Sequence, residues 1–162
     1  MEELNQDNNI QWFGEETTPN PLKINIERRM YNNLIKIAIT MNKHLKELIT
    51  EKGFGYWQIG IKKENDLLKL FFRFTTEDEG GYTLLTTEGK LKQSFQQKEL
   101  LERLTQKIFF HVEDFSSQED GFESTTFRVE LKLKEAQNMK NTYVAEIKAK
   151  GLSQKDTKIK IL

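Results

Sequence analysis

The chain contains no cysteine, which excludes disulfides and thiolate-bound zinc. Histidine is almost as scarce. His44 and His111 are the only two, and two imidazoles cannot close a structural zinc site without carboxylates. His111 precedes Glu113, Asp114 and Asp120, but that spacing matches no metal-binding motif. Proline occurs twice, at Pro19 and Pro21. No apolar run approaches the roughly 18 residues of a membrane-spanning helix. Net charge is zero, so the cationic excess usual in a dedicated nucleic-acid binder is missing. Gly53-Phe54-Gly55 and Gly80-Gly81 lack the Lys-Ser/Thr that follows a phosphate loop. Ser116, Ser117, Ser124 and Ser153 have no nucleophile-elbow context. The acidic clusters Glu77-Asp78-Glu79 and Glu119-Asp120 read as glycine-flanked turns, where carboxylates are normally solvated. The start, Met1-Glu2-Glu3-Leu4-Asn5, has neither the basic nor the apolar region of a signal peptide. These absences predict a protein that is not an enzyme and takes no cofactor or metal. They also predict no membrane contact and an intracellular location (cytoplasmic, or nuclear in a eukaryote).

Strict alternation is the clearest positive signal. Phe127, Val129, Leu131 and Leu133 alternate with Arg128, Glu130, Lys132 and Lys134, the pattern of a strand wet on one face. The same period recurs at Tyr143–Ala145–Ile147–Ala149, at Trp57–Ile59–Ile61 and at Leu68–Leu70–Phe72–Phe74. A hairpin is expected around Glu64-Asn65-Asp66, and a third strand over 82–87. The closing Lys158-Ile159-Lys160-Ile161-Leu162 reads as a short edge strand guarded by lysine. Gly60 within its strand suggests a bulge or a close backbone approach.

Two segments read as helix. Ser94-Phe95-Gln96-Gln97 matches a capping box, and Leu101, Leu104 and Ile108 supply an apolar face behind it. Residues 26–52 read as the longer helix, with Asn25 as N-cap and Gly53 as stop. There Ile26, Met30, Leu34, Ile37, Met41, Leu45 and Leu48 fall at spacings of three and four. Such a helix would be roughly 40 Å long, more than twice the expected radius of gyration of about 15 Å, leaving apolar surface for a partner. The predicted architecture is α+β in the order α-β-β-β-α-β-β. It is an antiparallel five- to six-stranded sheet, compatible with an OB-type barrel, behind a long N-terminal amphipathic helix. The predicted organisation is a flexible acidic arm over 1–22 and a single domain over 23–162.

Charge is unevenly spread. Residues 1–21 carry Glu2, Glu3, Asp7, Glu15 and Glu16 and no Lys or Arg, whereas 125–162 carry nine Lys/Arg against four Asp/Glu. Two expectations about function follow. The first is a non-catalytic small subunit or adaptor that binds another protein subunit or a second copy of itself. Its contacts would be Leu34, Ile37, Met41 and Leu48 on the long helix, with Trp12 and Phe13 anchoring the arm. The alternative is a subunit that binds single-stranded nucleic acid through a basic, aromatic-bearing sheet face. That face would comprise Lys62, Lys69, Phe71, Arg73, Arg128, Lys132, Lys134, Lys148 and Lys150.

Overall fold

The computed structural model describes residues 21–32, 34–92, 98–113, 126–149 and 157–161. Trp12, Phe13, Lys150 and Ser94–Gln97 lie outside them. The described chain is mostly β. Eight strands form one curled antiparallel half-barrel, joined by two short helices. They are β1 (Leu22–Tyr31), β2 (Leu34–Met41), β3 (Tyr56–Glu64), β4 (Leu67–Thr75), β5 (Tyr82–Thr83), β6 (Phe127–Glu135), β7 (Thr142–Lys148) and β8 (Thr157–Ile161). The helices are α1 (Lys43–Lys52) and α2 (Lys98–Glu113). Strand order is β2-β1-β6-β7-β4-β3-β5. β8 pairs the first half of β6 on the edge that β7 takes at Lys134 and Glu135. The curled sheet is compatible with an OB-like description at this coarse level.

The long N-terminal helix is not there, which corrects the α+β expectation. Residues 26–31 lie in β1 and 34–41 in β2, and only Lys43–Lys52 of the expected helix is helical. The alternation Leu22, Ile24, Ile26 and then Ile35, Ile37, Ile39, Met41 is also present in the sequence, and it is this period that the sheet realises. β-branched isoleucines favour it. Asn32 sits at φ 47° between the strands, the left-handed backbone that asparagine tolerates and a tight hairpin demands. Asn65 does the same for β3–β4, and Asn138 and Asn141 for β6–β7.

α1 begins at Asn42, not Asn25. The Asn42 side chain accepts from the backbone N–H of Leu45 at 3.0 Å. Gly53 ends α1 at φ 71°, where the sequence places the stop. Gly60 makes no bulge: β3 and β4 pair without interruption from Tyr56↔Thr75 to Glu64↔Leu67. Gly60 instead lies directly opposite Phe71, and a Cβ there would be 3.6 Å from the Phe71 Cβ. An aromatic facing a glycine across a strand pair covers the exposed backbone.

The core lies on the inner face. Ile24, Ile26, Val129, Leu131, Ala145, Ile147, Leu70 and Phe72 are buried there beneath Leu45 and Ile49 of α1 and Leu101, Leu104 and Ile108 of α2. Phe109 stacks on Phe127 at 6.0 Å. His111 is buried, and its Nε2–H donates to the carbonyl of Ile147 at 2.8 Å. That bond docks the end of α2 on β7. Arg28 is fully buried on the same face, opposite Phe127 and Ile37.

Candidate functional site

The hydrogen-bond pattern of β1 decides which edge of the sheet is open. The Lys23 carbonyl accepts from Asn42 N–H, on the β2 side. Met30 N–H donates to Thr126 Oγ1, on the β6 side. Backbone groups alternate sides along a strand, so the odd-numbered residues of β1 bond to β2. Their register partners Leu34, Lys36, Ala38 and Thr40 point back at β1. The N–H and C=O groups of Ile35 and Ile37 therefore point away from the sheet. No described strand pairs with that side of β2.

The open stretch is short and apolar. Leu34 is 62% exposed and its cross-strand partner Tyr31 is 65% exposed. Ile35 and Ile37 are half-buried, whereas Ile39 is fully buried. A groove of about 570 Å³ runs along this edge, lined by Glu27, Arg29, Ile35, Lys36, Ile37, Ala38 and Glu102. Edge strands are normally blunted by charge, proline, a bulge or shortness. Here β1 and β2 pair without a bulge, and Lys36 is the one charged residue of β2. The other exposed edges differ. β3 carries Lys62, Lys63 and Glu64 along its unpaired half, and β8 carries Lys158 and Lys160.

The four residues expected on a contact helix are therefore dispersed. Leu34 and Ile37 lie on β2 but on opposite faces, Met41 is only 5% exposed at the end of β2, and Leu48 is half-buried on α1. They form no common stripe. The pairing of Tyr31 with Leu34 and the open backbone of Ile35 went unread, because both depend on which strands become neighbours.

The residues expected to contact nucleic acid do share a face. Lys62, Lys69, Phe71, Arg73, Arg128, Lys132, Lys134 and Lys148 all point to the outer side of β3, β4, β6 and β7. Register also places Lys23, Arg29, Lys36, Lys158 and Lys160 there, against Glu27, Glu64, Glu130 and Glu146. Several cations are paired. Glu64 receives Lys62 at 2.8 Å and Lys69 at 2.9 Å. Glu27 serves both Arg29 and Arg128, and Lys23 meets Glu130 at 3.1 Å. Arg73 donates twice to Gln58. Lys132, Lys134 and Lys148 are also engaged. Phe71 is half-buried.

The hydrogen bond from Lys62, then that from Lys69, holds the Glu64 carboxyl down at about 2, against a usual 4.5. A depressed folded pKa stabilises the native state above the unfolded value, and that contribution is lost as pH falls from 4.5 through about 2. Because the group is exposed, the pair will be worth little to stability. NMR titration should give a Glu64 midpoint near 2. The substitution Lys69→Met should move it up toward 4.5, and an unmoved midpoint would refute the pairing.

A second concavity, about 500 Å³, lies where the β4–β5 connection meets the β6–β7 turn, with Arg73, Thr75, Glu77, Glu79 and Lys140 in its lining. No histidine lines it. Among the described residues, no group of three or more His, Asp or Glu is placed to hold a metal ion. No described helix is long and apolar enough to cross a membrane. The described residues thus form a small β-rich half-barrel in which no described strand pairs the side of β2 away from β1. No protein-family model matches the chain, and neither a curated protein nor a solved structure matches it.

Proposed function

We propose that this protein is a non-catalytic interaction module that holds a partner protein by adding an extended segment of the partner to the open edge of β2. The observation that carries the reading is the outward N–H and C=O of Ile35 and Ile37 beside the exposed pair Tyr31 and Leu34. A strand laid on this edge gains main-chain hydrogen bonds and covers apolar side chains. A proline at position 35 tests it. The Ile35 N–H makes no bond to β1, so the substitution spares the ladder while removing a donor from the edge. Affinity capture of wild type and Ile35→Pro from the source cells, with nuclease present, should return a stoichiometric partner for wild type alone. Equal recovery by a folded Ile35→Pro would reject edge docking.

A second reading rests on the surplus of cations on the outer face. A single-stranded nucleic acid laid across β3, β4 and β7 would meet Lys69 and Arg73 with Phe71 between them on one strand. The double variant Lys69→Glu/Arg73→Glu should then weaken binding of labelled oligo(dT). It should also flatten the salt dependence by about 0.7 per lost phosphate contact. Absence of binding by wild type at low salt would reject this reading.

A further inference from the structure

We infer that the segment taken by the β2 edge is an extended peptide with an acidic residue between two apolar ones, the acid on the outer face. This inference rests on edge docking as proposed above. Any strand added in register puts one residue opposite Lys36 on the outer side, and the residues before and after it opposite Ile35 and Ile37 on the inner side. The outer flank is cationic. Arg29 and Lys36 are cross-strand partners, and Glu27 already serves two guanidiniums. No carboxylate among the described residues lies within ion-pair distance of Lys36, whose ammonium sits 6.0 Å from the centre of the Tyr31 ring. The inner flank is apolar at Ile35 and Ile37, with Glu102 of α2 in its lining and the buried Arg28 across the strand from Ile37. An incoming acid is attracted to Lys36 on the outer side, and apolar residues cover Ile35 and Ile37 on the inner one, so the two faces of the edge fix the orientation as well as the composition.

The same geometry argues against a second copy. The open stretch runs from Leu34 to Ala38, since Ile39 is buried. Two copies pairing antiparallel over that stretch alone place their two-fold axis at Lys36, so the two Lys36 side chains face each other. Like charges directly opposed across a strand pair are destabilising.

The test uses fluorescein-labelled peptides of alternating Val and Glu, and of alternating Val and Lys, with fluorescence anisotropy on the full chain. Wild type should prefer the Val/Glu peptide by about fivefold. Lys36→Glu should reverse the preference, and Ile35→Pro should abolish binding of both. Equal binding of the two peptides, still lost in Ile35→Pro, would overturn the acidic specificity while leaving edge docking intact. No binding of either peptide by wild type, or wild-type binding undiminished in Ile35→Pro, would remove edge docking and this inference with it. A dimer in sedimentation velocity that Ile35→Pro dissociates would make the second copy the occupant and overturn the inference.

Discussion

Replacing Trp57 with alanine should cost the fold about 3–5 kcal/mol, the range for deleting a buried tryptophan. Trp57 is buried on the inner face of β3. Its indole stacks on Phe72 at 6.2 Å and 11°, and register places Phe74 and Tyr82 on either side of it. Phe74 in turn contacts Phe54 at 5.8 Å and Tyr143 at 6.0 Å. One ring therefore sits in a cluster joining β3, β4, β7 and the segment after α1. A sheet bonded on both sides of the gap cannot close around it, so the cavity term adds to the lost burial. Against a total of about 5–15 kcal/mol for a domain of this kind, that is a large share. Urea unfolding should show a lowered midpoint with unchanged slope. Trp57→Phe should retain most of the stability. A loss below about 1 kcal/mol for alanine would mean that the neighbouring elements collapse inward, and that the cluster is looser than its ring geometry implies.

β3, β4, β6 and β7 are legible because one physical signal, period two, dominates each of them, whereas the strand expected over 82–87 shrinks to Tyr82–Thr83. Phe127–Leu133 and Leu68–Phe74 place every apolar residue but Phe71 inside and every charge outside. Residues 22–41 were not legible for a definable reason. Ile26, Met30, Leu34, Ile37 and Met41 fit a helix as well as a hairpin. Arg28 breaks the alternation at the point where it would have decided the matter. A charged residue at an inward position counts against a strand in any sequence reading, yet Arg28 is fully buried there. The turn signal was weak as well, since the pair Asn32-Asn33 lacks the glycine that most often marks a two-residue hairpin turn.

The candidate site divides along the same line. The outer-face cations could be grouped from sequence because parity along a strand needs no knowledge of its neighbours. The open edge could not. β1 bonds to β2 nearby in sequence but to β6 about a hundred residues away, and only the second pairing leaves β2 on the outside. Edges belong to sheet order, which local periodicity does not encode. Leu34 and Ile37 therefore read as one apolar stripe on a helix, whereas the exposed apolar pair in the sheet is Tyr31 with Leu34.

Asn42→Ala should cost about 2–3 kcal/mol, well above an ordinary capping change, because this side chain ties the start of α1 to the start of β1 through three hydrogen bonds. Its Oδ1 accepts from Leu45 N–H at 3.0 Å, which caps α1, and from Lys23 N–H at 3.2 Å, at the start of β1. Its Nδ2 donates to the Pro21 carbonyl at 2.7 Å. The cap alone is worth about 1 kcal/mol, and each further bond about 0.5–1.5 kcal/mol. Aspartate keeps the acceptor, adds a negative charge where the helix dipole favours one and loses only the bond to Pro21. Asn42→Asp should therefore fall between wild type and alanine, with Leu45 amide exchange still protected. If aspartate proved as damaging as alanine, the bond to Pro21 would be the dominant one, and the start of β1 rather than the start of α1 would be what Asn42 holds. That outcome bears on the docking edge too. β1 is the strand on which β2 hangs, so loosening Leu22–Ile24 should raise amide exchange along β2 before it does so in β4 or β7, which are anchored through Trp57 and Phe72.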